Sequence, residues 1–169
     1  MANVVEDGTG LNNANAYIDV AFADSYFTDR NDAAWSGTNV EKEAFILRAT
    51  DYIELVFGSR FLGVKFSDTQ ALSFPRLAAD NQTAEPIPLS LKKACAEYAK
   101  IAKTAALIVN PALPTDGLVT TEISKEVAGI KKTVKYDVNQ SPIISRPYPT
   151  ADIYLTNLLR KTSNHVIRN

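Results

Sequence analysis

Apolar residues recur at helical spacing in four stretches of this chain and alternate at strand spacing in one. Phe22, Ala23, Tyr26 and Phe27 follow Asp19, whose side chain can cap a helix, so a first helix is expected from about Val20 to Asp29. Asn39 is placed to cap a second, with Phe45, Ala49, Tyr52, Ile53 and Val56 on its buried face and Gly58 as its stop. The third begins near Pro88, where proline suits a first turn, and carries Leu91, Cys95, Tyr98, Ala102, Ala105 and Val109 on one stripe until Pro111 and Pro114. Its alanines (Ala94, Ala96, Ala99, Ala102, Ala105, Ala106) favour helix and permit close approach of neighbouring helices. Thr150 is expected to cap a last helix bearing Ile153, Leu155, Leu158 and Leu159.

Between these lie segments without a helical period. The first eighteen residues read as an extended lead-in with a turn at Gly8-Thr9-Gly10, and residues 59–88, with Gly63, Pro75, Pro86 and Pro88, as a long irregular connection pinned by aromatic side chains. From Leu118 to Asp137, Ile123 and Val127 alternate with polar residues before Gly129, and Ile130, Val134 and Tyr136 after it, which predicts a β-hairpin. With Ala128-Gly129 as the turn, Glu126 faces Lys131, Ser124 faces Thr133 and Glu122 faces Lys135, while Lys125 meets Lys132, an unfavourable like-charge pair. The expected fold class is mainly α: a small helical bundle with a β-hairpin insertion and an extended C-terminal arm ending in a helix. One domain accounts for it, with a helical core at about 19–112, the hairpin at about 118–137 and a proline-marked arm (Pro142, Pro147, Pro149) at about 138–169.

Composition narrows the classes. The chain has 169 residues, 46% of them hydrophobic and 22% charged, which suits one globular core. It has no apolar run of membrane-spanning length, and its first residues show no basic segment followed by an apolar one, so a soluble protein without a signal peptide is expected. One cysteine rules out an intrachain disulfide and a cysteine-based metal cluster. The net charge of −1 hides a separation: residues 1–85 hold 6 Lys/Arg against 13 Asp/Glu, and residues 86–169 hold 12 against 6. Halves of −7 and +6 either attract within one fold or join one subunit to the next.

Catalytic signals are sparse. The single histidine, His165, lies in the tail and reads as solvated rather than as a ligand, and Cys95 sits on an apolar stripe, as a small buried hydrophobe does. Gly8-Thr9-Gly10 lacks the following Lys-Ser/Thr of a phosphate loop. Glu41, Glu43, Asp51 and Glu54 form a wet acidic face with no convergent partner. No catalytic residue, cofactor or metal is expected, and the protein is not read as an enzyme. Two features point to nucleic acid. Phe57, Arg60, Phe61, Lys65, Phe66, Phe74 and Arg76 interleave aromatic and basic residues, as base-stacking surfaces do, although aromatics that fasten a loop to a core give the same pattern. Lys125, Lys131, Lys132 and Lys135 are a basic run that can neutralise phosphates or simply solubilise a hairpin.

The order of short motifs carries a resemblance. Asn13-Ala14-Asn15-Ala16-Tyr17-Ile18 leads into Ala23-Asp24-Ser25-Tyr26-Phe27, Ala34-Trp35 and Leu47-Arg48-Ala49-Thr50-Asp51-Tyr52-Ile53. Gln70-Ala71-Leu72-Ser73-Phe74-Pro75-Arg76, Ile87-Pro88, Lys125-Glu126-Val127-Ala128-Gly129-Ile130 and Tyr148-Pro149-Thr150-Ala151-Asp152 follow. Over nearly the whole chain this resembles a family of tailed-bacteriophage proteins labelled DnaT-like single-stranded DNA-binding proteins and regarded structurally as head-tail adaptors. The resemblance implies a virion structural protein of the head-tail connector, or neck, which assembles in the host cytoplasm. Its implied partners are the portal protein, neighbouring copies in a dodecameric ring, the next neck or tail component below, and double-stranded DNA passing through the channel, with no membrane. On that reading Lys125, Lys131, Lys132 and Lys135 face the DNA channel, while Ile153, Tyr154, Leu155, Leu158, Leu159, Arg160 and Lys161 meet the portal or a neighbour. The rival expectation is a replication accessory that binds single strands through the loop between Arg60 and Arg76, with quenching of Trp35 or tyrosine fluorescence.

Overall fold

A computed structural model of the chain describes residues 3–77, 84, 86–108, 122–127, 130–135 and 148–160, the two strands by their backbone. The fold is mainly helical and divides into two compact units, Met1–Leu107 with Pro147–Asn169, and Ile108–Arg146.

The first unit holds the helices α1 (Val20–Thr28), α2 (Asn39–Phe57), α3 (Leu89–Thr104) and α4 (Pro149–Leu155), with single 3-10 turns at Gly58–Arg60 and Thr156–Leu158. Asp19 caps α1, accepting from the Phe22 N–H at 2.7 Å. The cap of α2 is Thr38, not the expected Asn39, because Glu41 three residues on completes a reciprocal capping box with it. The buried seam of α2 is Ile46, Ala49, Thr50, Tyr52, Ile53 and Phe57, whereas Phe45 and Val56 are only half-buried. Buried Ala94, Ala99 and Ala102 line α3, which packs on both α2 and α4. α3 ends at Thr104, before the stripe expected to reach Val109, which lies outside the described residues. Ala105 is already extended, and Leu107 is drawn into the core with its carbonyl accepting from the Tyr148 hydroxyl at 3.0 Å, so tertiary packing overrides alanine's helix propensity.

Pro149 occupies the first turn of α4 with Tyr148 as its cap, two residues ahead of the expected Thr150. Tyr52, Phe57, Tyr98 and Tyr148 form an aromatic cluster where α2, α3 and the start of α4 meet, the Tyr52 and Tyr98 rings 4.9 Å apart. The lead-in is held by a carboxylate. Buried Glu6 accepts from the N–H groups of Gly8, Gly10 and Leu11, each at 2.9 Å, and the two glycines take positive φ to aim them there. The Gly8-Thr9-Gly10 turn is thus an anion nest filled by the chain's own side chain.

In the second unit Glu122–Val127 and Ile130–Lys135 pair antiparallel, with Glu122 opposite Lys135, Ser124 opposite Thr133, Lys125 opposite Lys132 and Glu126 opposite Lys131. Ala128, Gly129, Tyr136 and the proline-marked segment before Tyr148 lie outside the described residues.

Candidate nucleic-acid interface

The irregular segment after α2 is organised by pairings from two distant parts of the chain. On one side the Leu62 N–H donates to the Leu158 carbonyl and the Arg160 N–H to that of Arg60, with Phe61 and Leu159 as bridge partners. On the other, Phe66 donates to Pro75 and Leu77 to Val64, with Lys65 and Arg76 bridged. Residues 60–66, 75–77 and 158–160 therefore form a small ribbon in the first unit. Gly63 sits at its bend with φ +78°, a conformation that favours glycine.

Glu54 of α2 fixes the base of this ribbon. Its carboxylate accepts from the Tyr17 hydroxyl, from the Ser73 hydroxyl at 2.6 Å and from the Ser73 N–H at 3.1 Å. Gln70 adds a second tie, donating to the Leu72 and Pro75 carbonyls across the cis Phe74–Pro75 bond.

The ribbon sorts the interleaved aromatic and basic residues by side. Phe57, Phe61 and Phe74 are buried, with Phe61 and Phe74 edge-to-face at 5.0 Å. They fasten the loop to the core and present no face for a base to stack on. Arg60, Lys65 and Arg160 are exposed, and Leu62 and Val64 project between them, 50% and 64% exposed. Buried rings support the cations from beneath: Arg60 lies over Phe57 at 5.6 Å, and Arg76 over Phe61 and Phe74 at 5.7 and 5.4 Å. Among the described residues none of these four cations makes an ion pair, in contrast to Lys42 with Asp24 and Lys100 with Asp32 and Glu97.

Other candidates fall elsewhere. Lys125, Lys131, Lys132 and Lys135 all lie on the paired strands of the second unit. Ile153 is 70% exposed, Tyr154 meets the Tyr26 hydroxyl at 3.3 Å, and Leu155 is fully buried. Leu158, Leu159 and Arg160 enter the ribbon, and Lys161 and His165 lie outside the described residues. Cys95 is buried beside Thr50, and burial pushes its thiol up to about 12, an inert setting. Glu41 is spent on the capping box, and burial raises the Asp51 pKa from its ordinary value, with neighbouring Glu54 adding to the effect. Among the described residues no cluster of His, Cys, Asp and Glu could hold a metal ion, and no helix is long and apolar enough to cross a membrane. Trp35 is buried, its indole N–H donating to Asp24 at 2.6 Å. The part of this interface that local sequence did not reveal is the arrival of Arg160 beside Arg60, which rests on a pairing across about a hundred residues.

Comparison with known proteins gives one family. The model of the family described as "Putative DnaT-like ssDNA binding protein" matches residues 1–169. No curated protein and no solved structure matches the chain. The match corrects the expectation of a structural head-tail adaptor: the family is described by single-stranded DNA binding, and nothing found supports a virion connector, a portal contact, a ring or a neck or tail partner. Two observations behind that expectation have answers inside the chain. The opposite charges of the two halves meet within it at Lys100 and Asp32, and α4 docks on α3 with Ala151 and Leu155 buried. From its first residue to its last, the chain belongs to the DnaT-like ssDNA-binding protein family.

Proposed function

We propose that the protein binds single-stranded DNA, without catalysing a reaction on it, along the ribbon of residues 60–66, 75–77 and 158–160. The observation that carries this reading is the gathering of Arg60, Lys65, Arg76 and Arg160 on one ribbon with no carboxylate paired to any of them among the described residues. Phosphates supply the missing counter-charge, and exposed Leu62 and Val64 give the bases an apolar contact that does not discriminate sequence. The basic run Lys125, Lys131, Lys132 and Lys135 of the hairpin, taken by itself, offers further neutralisation of phosphates. In this view the hairpin at about 118–137 is an insertion in a helical core, and the chain from about 138 is an arm that returns to the core through α4.

Fluorescence anisotropy with a labelled oligothymidylate tests the reading. The wild type binds at low salt, and Arg60→Gln, Lys65→Gln and Arg160→Gln combined weaken binding about tenfold. With about 0.7 of a counterion released per single-strand phosphate contact, the slope of log K against log salt falls in magnitude by about 2. A wild type that binds no single strand at low salt, or a triple variant with an unchanged slope, would sink the proposal. Tryptophan emission stays unchanged on binding, because Trp35 is buried on the Asp24 side of the unit and stacks on no base.

A further inference from the structure

We propose that Arg76 and Arg160 form a seat for a single phosphoryl group, so that the ribbon grips one phosphate at a fixed position while its other cations act as a diffuse field. Arg76 is the anomalous residue of the first unit: an arginine only 7% exposed as a whole, its guanidinium lying over two buried phenylalanine rings and without an ion pair among the described residues. Its Nη1 is committed to the Gly63 carbonyl at 2.7 Å, whereas its Nε has no acceptor. A buried cation with an orphaned donor is costly unless an anion completes it.

Glu54, the carboxylate whose charge acts on Arg76, has its oxygens occupied by Tyr17 and Ser73. Burial presses the Arg76 pKa below its usual value, and the Arg160 charge acts in the same direction. Both belong to the ribbon, Arg160 hydrogen-bonded through its N–H to Arg60 and Arg76 bridged to Lys65. Two arginines carried on one ribbon, neither ion-paired to a carboxylate among the described residues, suit a tetrahedral oxyanion, which accepts a fork on each of two edges; lysine has no such fork.

The phosphoryl group is either a diester of a DNA strand or free phosphate, and its assignment to DNA rests on the proposed function. The test uses the full chain and two probes. Thermal melts in sodium phosphate and in sodium chloride at matched ionic strength are compared for wild type, Arg160→Gln and Arg76→Lys. A saturable rise of about 3–5 °C is expected for the wild type at tenfold over Kd, lost in both variants. Because Arg76→Lys perturbs a buried position, exposed Arg160→Gln decides the matter if the lysine variant fails to fold. Equal melts in the two salts, or a phosphate response undiminished in Arg160→Gln, would overturn the seat. Oligothymidylate binding by the same preparations separates the sources. A phosphate response in a protein that binds no DNA supports the seat with free phosphate as its ligand and overturns the DNA reading. DNA binding with no phosphate response overturns the seat alone.

Discussion

Replacing Glu54 with alanine is expected to lower stability by about 3–5 kcal/mol and to abolish ordered packing of the ribbon against α2. The estimate follows from three hydrogen bonds to one carboxylate, each worth about 1.5–3 kcal/mol and not fully additive. The donors it leaves behind are the hydroxyl of Tyr17, which is fully buried, and the N–H and hydroxyl of Ser73, which is 4% exposed. Neither can turn to water without opening the core. The site is also close-packed, since a Cβ on Gly58 would meet the Ser73 Oγ at 3.1 Å, so relaxation into the gap is limited. Glu54→Gln keeps an acceptor and is expected to cost less, about 1–3 kcal/mol. Urea denaturation of the two variants checks both the size and the order. An alanine variant with the wild-type midpoint would mean that Tyr17 and Ser73 find other acceptors and that the ribbon is held by its buried phenylalanines alone.

The consequence for binding follows from the chain order. Ser73 immediately precedes the Phe74–Pro75–Arg76 run, so a loosened Ser73 frees the strand that carries Arg76. DNA affinity should therefore fall in Glu54→Ala even though Glu54 carries the wrong charge to touch a phosphate.

How much of this was legible in the sequence depends on the range of the interaction involved. The helices were, because a 3.6-residue apolar period is a local signal and Asp19 is a local cap. The start of α2 was misplaced by one residue because Thr38 and Asn39 are both good caps, and only the Glu41 partner distinguishes them. The end of α3 was misplaced because the Leu107–Tyr148 contact joins residues 41 apart, which no local pattern reports. The inward turn of Phe57, Phe61 and Phe74 agrees with the anchoring alternative weighed for that segment. Its pairing with residues 158–160 was invisible, since a bridge of one or two residues leaves no alternating pattern to read. The same blindness explains why Arg160, read as a contact for a neighbour, lies beside Arg60 in its own chain.

A loss as large as that at Glu54 is expected at Tyr98, where the helical core and the C-terminal segment are joined. Its ring is fully buried among Tyr52, Phe57 and Tyr148, and its hydroxyl donates to Asp152, whose other carboxylate oxygen caps α4 by accepting from the Tyr148 N–H at 2.9 Å. Tyr98→Ala removes the ring and is expected to cost about 3–5 kcal/mol, while Tyr98→Phe removes only the bond to Asp152 and costs about 1–3 kcal/mol. Burial first, and then the Asp152 carboxylate, raise the tyrosine's pKa in the folded chain. The stabilisation is therefore complete below the ordinary tyrosine pKa of about 10 and declines as pH climbs towards the raised value. Since α4 leads directly into residues 158–160, either variant should also loosen the outer strand of the ribbon and expose the segment near Arg160 to protease. Limited proteolysis alongside urea melts distinguishes the contributions. A phenylalanine variant that melts and cleaves as the wild type does would show that ring packing alone docks α4, and that the Asp152 bond only orients the cap.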